Sequence, residues 1–185
     1  MNIAVFASGS GSNAQKIFDH FKNHNSIKVA LVVCNKPNAF VIERAQKENI
    51  PVLLIDKSSF KDENFMLTKL KAYHIEFIVL AGFLWLIPNF LTKSFHNKMV
   101  NIHPALLPKY GGKGMHGHFV HEAVYKNKEK ESGITIHYVN EVYDSGEIIF
   151  QAKCNVEGLN PEEIAAAVLK LEHENFPKVI EKLLS

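Results

Sequence analysis

Asn101 and His103 are the residues whose types and spacing most favour chemistry. They stand two positions apart in the segment 100–110, which leaves an apolar strand pattern and enters a loop containing Pro104 and Pro108. In an extended chain, side chains two residues apart project from the same face of a sheet. An amide donor and an imidazole would then face one substrate atom, and the prolines would stiffen the loop that holds them. The competing interpretation is that Asn101 and His103 are polar residues at a strand end whose side chains only hydrogen-bond to the nearby backbone.

Asp144 begins the turn Asp144-Ser-Gly146, where an aspartate ordinarily hydrogen-bonds to the nearby backbone. If the fold brings this carboxylate beside His103, it would raise the pKa of the imidazole and fix the orientation of the ring. That arrangement is expected of an acid–base centre. The sequence alone leaves open whether the two side chains meet.

A glycine-rich turn, Gly9-Ser-Gly11-Ser-Asn-Ala14, follows the first apolar run and has the loose form G-x-G-x-x-A. Glycines between a strand and a helix let backbone N–H groups approach an anion, so the turn favours phosphate binding, with Asn13 as the expected helix N-cap. A dinucleotide is disfavoured, because the second strand ends in Cys34-Asn35-Lys36 without the acidic residue that usually binds the ribose. A glycine turn without a ligand is the structural alternative.

Three clustered histidines raise the question of a metal. His118 and His121 would lie one helical turn apart if a helix begins near Met115, and His116 precedes them. No nearby cysteine or well-spaced carboxylate completes a ligand set, so we favour substrate contact, capping and solvent exposure and expect no metal. His137 is interpreted as a packed, hydrogen-bonded histidine that could line the site.

The elements that must position these residues alternate between strand and helix patterns, which indicates an α/β fold. We predict a single domain over residues 1–185, with a mostly parallel sheet, helices on both faces and a late antiparallel strand pair. The predicted parallel strands are 2–7, 27–34, 51–55, 77–81 and 98–102, and the antiparallel pair is 133–139 and 147–156. The predicted helices are 13–23, 40–49, 62–73 and a final helix from Pro161 that turns Ile164, Val168, Leu171 and Ile180 toward the sheet.

The composition favours a small-molecule partner. Lys and Arg number 21 against 19 Asp and Glu, and a net charge of +2 is too small to suggest a nucleic-acid or membrane surface. Cys34 and Cys154 lie in apolar runs and are expected to be reduced thiols. The first strand begins directly after Met1 without a signal-peptide pattern, so we expect a cytoplasmic protein.

Taken together, these motifs resemble the phosphoribosylglycinamide formyltransferase (glycinamide ribonucleotide formyltransferase) family, over nearly the whole chain. The resemblance rests on the segments Ala7–Asn13, Ala81-Gly-Phe83, Asn101-Ile-His-Pro104 with Leu106-Leu-Pro-Lys-Tyr110, and Asp144-Ser-Gly146 before Ile148-Ile-Phe-Gln151. It implies the formyltransferase fold, with a phosphate-binding half over 1–100 and a catalytic, folate-binding half over 101–185. It also implies formyl transfer from the co-substrate 10-formyltetrahydrofolate to the amine of glycinamide ribonucleotide in purine biosynthesis, by a monomer or homodimer.

The resemblance also implies roles for individual residues. Asn101, His103 and Asp144 would be catalytic. Gly11, Ser12 and Asn13 would bind the acceptor phosphate, Glu172 would bind the ribose hydroxyls, and Leu84 and Pro104 would also contact this substrate. The folate would be bound by Phe83, Leu84, Trp85, Leu86 and Ile87 together with Asn140, Glu141, Val142, Tyr143 and Asp144.

Several features depart from the family pattern. Trp85 stands where many relatives carry a basic residue, and Lys170 is one step out of register with a phosphate-binding residue. The segment 111–121 is longer than in some members, so the substrate-side histidine among His116, His118 and His121 stays open.

Three other functions are weighed against this one. Methionyl-tRNA formyltransferase needs an RNA-binding domain, which we do not expect in a chain ending at Ser185. Formyltetrahydrofolate deformylase shares the catalytic trio but normally has an extra N-terminal domain. A non-catalytic folate- or phosphate-binding module is disfavoured by the presence of Asn101, His103 and Asp144.

Overall fold

A computed structural model describes residues 1–185, and its centre is one seven-stranded sheet. The strands are β1 (Asn2–Ala7), β2 (Lys28–Cys34), β3 (Val52–Leu54), β4 (Ile75–Leu80), β5 (Met99–His103), β6 (Glu131–Tyr138) and β7 (Ile148–Asn155). They lie in the order β3-β2-β1-β4-β5-β6-β7, with β1 to β5 mutually parallel and with β6 and β7 each antiparallel to the preceding strand. The predicted α/β class, with a mostly parallel sheet and a late antiparallel pair, is confirmed.

Seven helices connect the strands: α1 (Ser12–Phe21), α2 (Phe40–Lys47), α3 (Lys57–Lys61), α4 (Glu63–Ala72), α5 (Asn89–Ser94), α6 (His118–Lys126) and α7 (Pro161–Leu184). The short helices α3 and α5 were not predicted, because five or six residues are too few to show a helical period. Helix α6 begins at His118 rather than near Met115.

The prediction that Asn13 caps α1 is wrong. The N-cap is Gly11, which has a left-handed φ of 71°, and no side chain caps the helix there. A β-carbon on Gly11 would lie 2.6 Å from the Val41 side chain, so this position has no room for a larger residue. Asn13 is instead inside the helix, with its side chain free to contact another element.

Helix α7 follows the predicted pattern. Asn160 and Glu163 form a capping box, in which each side chain accepts a hydrogen bond from the other residue's backbone N–H at 2.9 Å. Ile164, Val168 and Ile180 are buried, and Leu171 is partly buried against the same core. None of the helices is both long and apolar enough to cross a membrane.

Two hydrophobic cores lie on the two faces of the sheet because successive strand residues point to opposite sides. On β1, Ile3 and Val5 belong to the core that also contains residues of α1, α2, α6 and α7. Ala4 and Phe6 belong to the core that contains residues of α3, α4 and α5. Helices therefore cover both faces, as predicted.

The topology creates a crevice where the chain changes direction across the sheet. From β1 it continues to β2 and β3 on one side, and it then returns to β4 and β5 on the other side. Ligands bind at such a switch point, outside the carboxyl ends of the strands. The segments that follow β1, β4 and β5 contain the glycine turn, residues 82–87 and the loop from Pro104.

We predict that Gly133→Ala destabilises the fold. A β-carbon at Gly133 in β6 would lie 2.0 Å from the Ala152 carbonyl oxygen and 2.9 Å from Leu106 Cδ2. Relieving this overlap requires β6 and β7 to separate, and overpacking of this kind costs about 1–3 kcal/mol or more. Urea unfolding measures the loss, with Gly9→Ala as the control because nothing lies within 4 Å of that β-carbon. Equal unfolding free energies for the two variants would contradict the prediction.

Candidate active site

A cleft of about 780 Å³ lies over the carboxyl ends of the parallel strands. Every predicted site residue except Glu141 lines it. The Glu141 side chain is exposed to solvent, so its predicted place in the folate pocket is not supported by the shape of the cleft. Residues far apart in the sequence are thus brought to one place, as a substrate site requires.

His103 is buried, with 3% of its surface exposed, and its two ring nitrogens face different oxygens. Nε2 lies 2.7 Å from the Tyr110 carbonyl oxygen, which can only accept a hydrogen bond, so Nε2 carries a proton. Nδ1 lies 3.6 Å from Asp144 Oδ2. The predicted meeting of His103 and Asp144 is therefore observed, and Nδ1 is the nitrogen that remains available to a substrate.

The ionisation of this pair differs from the prediction. Burial lowers the pKa of His103 below its ordinary value of 6.5, and it outweighs the opposing effects of the Asp144 charge and the Tyr110 carbonyl. Burial also disfavours the charged form of Asp144, but His137, the His103 charge and the Gly112 N–H together lower the pKa of this carboxyl. At neutral pH the pair is thus a neutral imidazole beside a carboxylate, because Asp144 raises the His103 pKa, as expected, by less than burial lowers it.

Asn101 has a partner that the sequence did not reveal. In the antiparallel pairing of β5 with β6, it lies directly opposite His137, which is buried. His137 Nδ1 lies 2.8 Å from the Tyr138 carbonyl oxygen and must donate, so in the neutral ring Nε2 accepts from Asn101 Nδ2 at 3.1 Å. Asn101 Nδ2 also lies 3.5 Å from Asp144 Oδ1, at the limit of hydrogen bonding. That second amide hydrogen is the one most available to a substrate oxygen.

A buried hydroxyl holds the loop that follows β5. Thr135 Oγ1 accepts hydrogen bonds from the Leu107 N–H at 2.9 Å and from Gln151 Nε2 at 2.8 Å, and it donates to the Ala105 carbonyl at 2.7 Å. All of the hydroxyl's hydrogen-bonding capacity is used inside the protein. Strands β6 and β7 therefore fix the loop that begins just after His103.

The glycine turn is joined to the last helix by a short contact. Asn13 Nδ2 donates to Glu172 Oε2 at 2.6 Å, although 159 residues separate the two. Glu172 is 8% exposed, and burial raises its pKa to about 7 against the opposing effect of Asn13.

The side chain of Lys170 is mostly exposed and pairs with Glu174 at 3.9 Å, whereas Leu169 lines the cleft. Lys170 therefore lies outside the site.

The segment after β4 forms an apolar wall. The Leu84 N–H donates to Ser8 Oγ at 3.0 Å, which ties this segment to the end of β1. The Phe83 ring packs on Phe60 with centroids 5.3 Å apart, and the Trp85 ring packs on Phe60 at 5.7 Å. Trp85 is thus held in place by aromatic neighbours.

The three clustered histidines differ in burial. His121 is 7% exposed, lines the cleft, and has a buried Nδ1 with no partner, whereas His116 and His118 are exposed at its rim. Burial lowers the pKa of His121, and His103 and His118 lower it further. His121 is therefore the most buried of these three histidines, which all line the cleft. No group of three or more His, Cys, Asp or Glu side chains is arranged to hold a metal ion.

We predict that His103 and His137 hold the proton bonded to a backbone carbonyl on opposite ring nitrogens. The Tyr110 carbonyl requires Nε2–H on His103, and the Tyr138 carbonyl requires Nδ1–H on His137. Long-range proton–nitrogen correlation spectra of the imidazole rings at neutral pH distinguish the two forms. His20→Gln and His24→Gln variants assist assignment, since both residues lie outside the cleft. A shared tautomer would contradict the described hydrogen bonds.

We predict that Glu172 makes stability decrease as pH rises. Its folded pKa of about 7 exceeds the ordinary value of 4.5, so the folded state binds more protons between these values. The unfolding free energy of the wild type should fall relative to Glu172→Gln over this range, by at most about 3 kcal/mol, and level off above it. Denaturant titrations at several pH values test this, with the exposed Glu174→Gln on the same helix as the control. A difference that does not change with pH would contradict it.

The chain is similar to known proteins over nearly its whole length. Residues 1–180 match the family model described as formyl transferase. Phosphoribosylglycinamide formyltransferase of Bacillus subtilis is 38% identical over 98% of this chain and 93% of its own length. The chloroplastic enzyme of Arabidopsis thaliana is 40% identical over 96% of this chain. The chain spans 63% of the Arabidopsis protein and 60% of the corresponding protein from Vigna unguiculata.

Solved structures show the same fold. The phosphoribosylglycinamide formyltransferase structure from Bacillus halodurans superimposes with a TM-score of 0.90 at 34% identity, covering 100% of this chain and 96% of that one. Glycinamide ribonucleotide transformylase 1 from Geobacillus kaustophilus gives a TM-score of 0.89 at 38% identity, covering 100% of this chain and 98% of that one. The expected formyltransferase fold is thus confirmed. Sequence and structure agree that the chain belongs to the formyl transferase family.

Proposed function

We propose that this chain transfers the formyl group of 10-formyltetrahydrofolate to the amine of glycinamide ribonucleotide in purine biosynthesis. The observation that carries the proposal is the cluster of Asn101, His103 and Asp144 in one cleft. The glycine turn and the apolar wall 83–87 line the same cleft. The names of the similar enzymes support the same activity.

The cleft offers a place for each part of the two substrates. The acceptor phosphate would bind the N–H groups of Gly11, Ser12 and Asn13 at the start of α1, where the helix dipole favours an anion. Glu172 would accept hydrogen bonds from the ribose hydroxyls, and its bond to Asn13 would keep the phosphate and ribose sites in register. Leu84 and Pro104 would border the acceptor. Phosphate binding thus falls in residues 1–100 and the catalytic groups in 101–185.

The folate would bind between two segments. The backbone and apolar side chains of residues 83–87 would hold one face of the ring system, and the loop 140–144 would hold the other. This loop is ordered by Asn140, whose Oδ1 accepts from the Val142 N–H and from Ser145 Oγ, each at 2.9 Å. We assign the loop's contribution to its backbone and to Asn140, Val142, Tyr143 and Asp144, since Glu141 points to solvent.

The reaction creates two charges at once. As the amine attacks the formyl carbon, a carbon–nitrogen bond forms, the formyl oxygen becomes an oxyanion and the amine nitrogen becomes positive. Asn101 would donate its less strongly held amide hydrogen to the oxyanion, a contribution typically worth about 3 kcal/mol. His137 would keep the amide oriented by accepting the other hydrogen.

The neutral state of His103 suits it to accept the amine proton. Nδ1 has a free lone pair, because Nε2 holds the proton that is donated to Tyr110. The imidazolium formed in this step would be stabilised by the Asp144 carboxylate 3.6 Å away. It would then protonate the folate nitrogen as the carbon–nitrogen bond to the donor breaks, directly or through a water molecule. No covalent bond between the formyl group and the enzyme is required.

We expect Asp144→Asn to lower kcat by about 10² or more, because the amide cannot stabilise the imidazolium. The measurement is formyl transfer from 10-formyltetrahydrofolate to glycinamide ribonucleotide. Asp19→Asn on the exposed surface of α1 is the matched control and should retain wild-type turnover. Wild-type kcat in Asp144→Asn would contradict the mechanism.

The same assay without acceptor separates the alternatives. Formate release at an equal rate in the absence of glycinamide ribonucleotide would indicate a hydrolase similar to formyltetrahydrofolate deformylase. Binding of the folate without any turnover, with or without acceptor, would indicate a non-catalytic folate-binding module. Acceptor-dependent turnover supports the transferase.

A further inference from the structure

The turn Tyr110–Gly112 contacts both members of the His103–Asp144 pair. The Tyr110 carbonyl oxygen accepts the His103 Nε2 hydrogen at 2.7 Å, and the Gly112 N–H donates to Asp144 Oδ2 at 2.9 Å. The carbonyl is the ring's one hydrogen-bond partner, and no other segment hydrogen-bonds to both residues. The spacing between imidazole and carboxylate therefore depends on the shape of this turn.

The turn has an unusual conformation that its surroundings enforce. Tyr110 has a φ of 58° and Gly112 a φ of 94°, and the left-handed region is unfavourable for tyrosine. A β-carbon on Gly111 would lie 2.5 Å from Leu107 Cδ2 and 3.3 Å from Asp144 Cβ. The turn is thus packed against both the loop after β5 and the carboxylate that it binds.

A residue outside the cleft anchors this turn. Glu129 follows α6, and its Oε1 accepts hydrogen bonds from the Tyr110 hydroxyl at 2.9 Å and from Lys109 Nζ at 2.8 Å. The Glu129 N–H donates to the Val124 carbonyl at 3.2 Å, which fixes this residue to the end of the helix. Tyr110 is therefore held at both ends, by Glu129 through its hydroxyl and by His103 through its carbonyl.

We propose that Glu129 and Tyr110 are positioning residues that set the His103 ring so that Nδ1 faces Asp144 and the cleft. The proposal rests on the proposed function, since it assigns to Nδ1 the proton transfer described above. If the hydroxyl anchor is lost, the backbone at Tyr110 can relax toward a right-handed or extended conformation. The carbonyl then leaves Nε2, the ring can take the other tautomer, and Nδ1 is no longer a free base.

The test compares Tyr110→Phe, Glu129→Gln and the double variant in the full-length protein. Tyr110→Phe removes the charge-assisted hydrogen bond to Glu129 and Glu129→Gln weakens it, so we expect kcat to fall about tenfold in each. Because both changes act on one contact, the double variant should lose no more than the larger single loss. KM for both substrates should stay at the wild-type value, since neither side chain lines the cleft.

The matched control is Lys109→Met. It removes the other donor to Glu129 Oε1 while leaving the Tyr110 hydroxyl bond, so kcat should stay at the wild-type value. A loss in Lys109→Met as large as in Tyr110→Phe would overturn the proposal, because it would show a general effect of this ion pair.

A second readout needs no substrate. In the wild type, ring nitrogen spectra should show His103 as a single Nε2–H tautomer, and Tyr110→Phe should show a mixture, at a thermal unfolding midpoint close to that of Lys109→Met. An unchanged His103 spectrum, an unchanged kcat, additive losses in the double variant, or a raised KM at normal kcat would each overturn the positioning role. The spectrum reports on the ring even if the chain does not transfer formyl groups, so the two proposals can fail separately.

Discussion

The antiparallel pairing of β6 with β5 is the constraint on which the site depends. Residues directly opposite each other in such a pair have their side chains on the same face, and the register sets Asn101 against His137 and His103 against Thr135. Asn101 thereby gains the acceptor for its amide, and the loop after His103 gains the hydroxyl that holds it. A slip of one residue would turn His137 and Thr135 to the opposite face of the sheet.

Two carboxylates in the same cleft have opposite pKa shifts, and their partners explain the difference. Burial favours the neutral acid at both positions. Glu172 has one side-chain partner, Asn13, and the effect of burial is larger than that of this hydrogen bond, so the pKa of Glu172 is raised. Asp144 is surrounded by the Gly112 N–H and by the imidazoles of His103 and His137. Together these partners outweigh burial and lower the pKa of Asp144. Asp144, the carboxylate beside His103, is thus the one kept ionised, and acids in one cleft commonly differ in ionisation in this way.

Much of the fold could be predicted because buried parallel strands are continuous apolar runs and long amphipathic helices have a clear period. The strands 2–7 and 98–102 and the final helix were located within a few residues. The prediction failed where a local pattern competes with a distant contact. Asparagine is a residue type that often caps helices, but the Asn13 side-chain amide donates to Glu172 instead. The N-cap is Gly11, whose left-handed backbone conformation begins the helix. A contact across 159 residues leaves no trace in the local pattern.

Sequence reasoning can find a candidate site through the types of its side chains, but it does not see contacts made by the backbone. The family resemblance identified Asn101, His103 and Asp144, and their side chains do meet. Tyr110 contacts His103 through a carbonyl oxygen, a group that every residue has, so its type gives no signal of this contact. The same carbonyl decides which imidazole nitrogen is free, because it holds the proton on Nε2. The chemistry available to His103 is therefore determined by a backbone atom and by the turn that presents it.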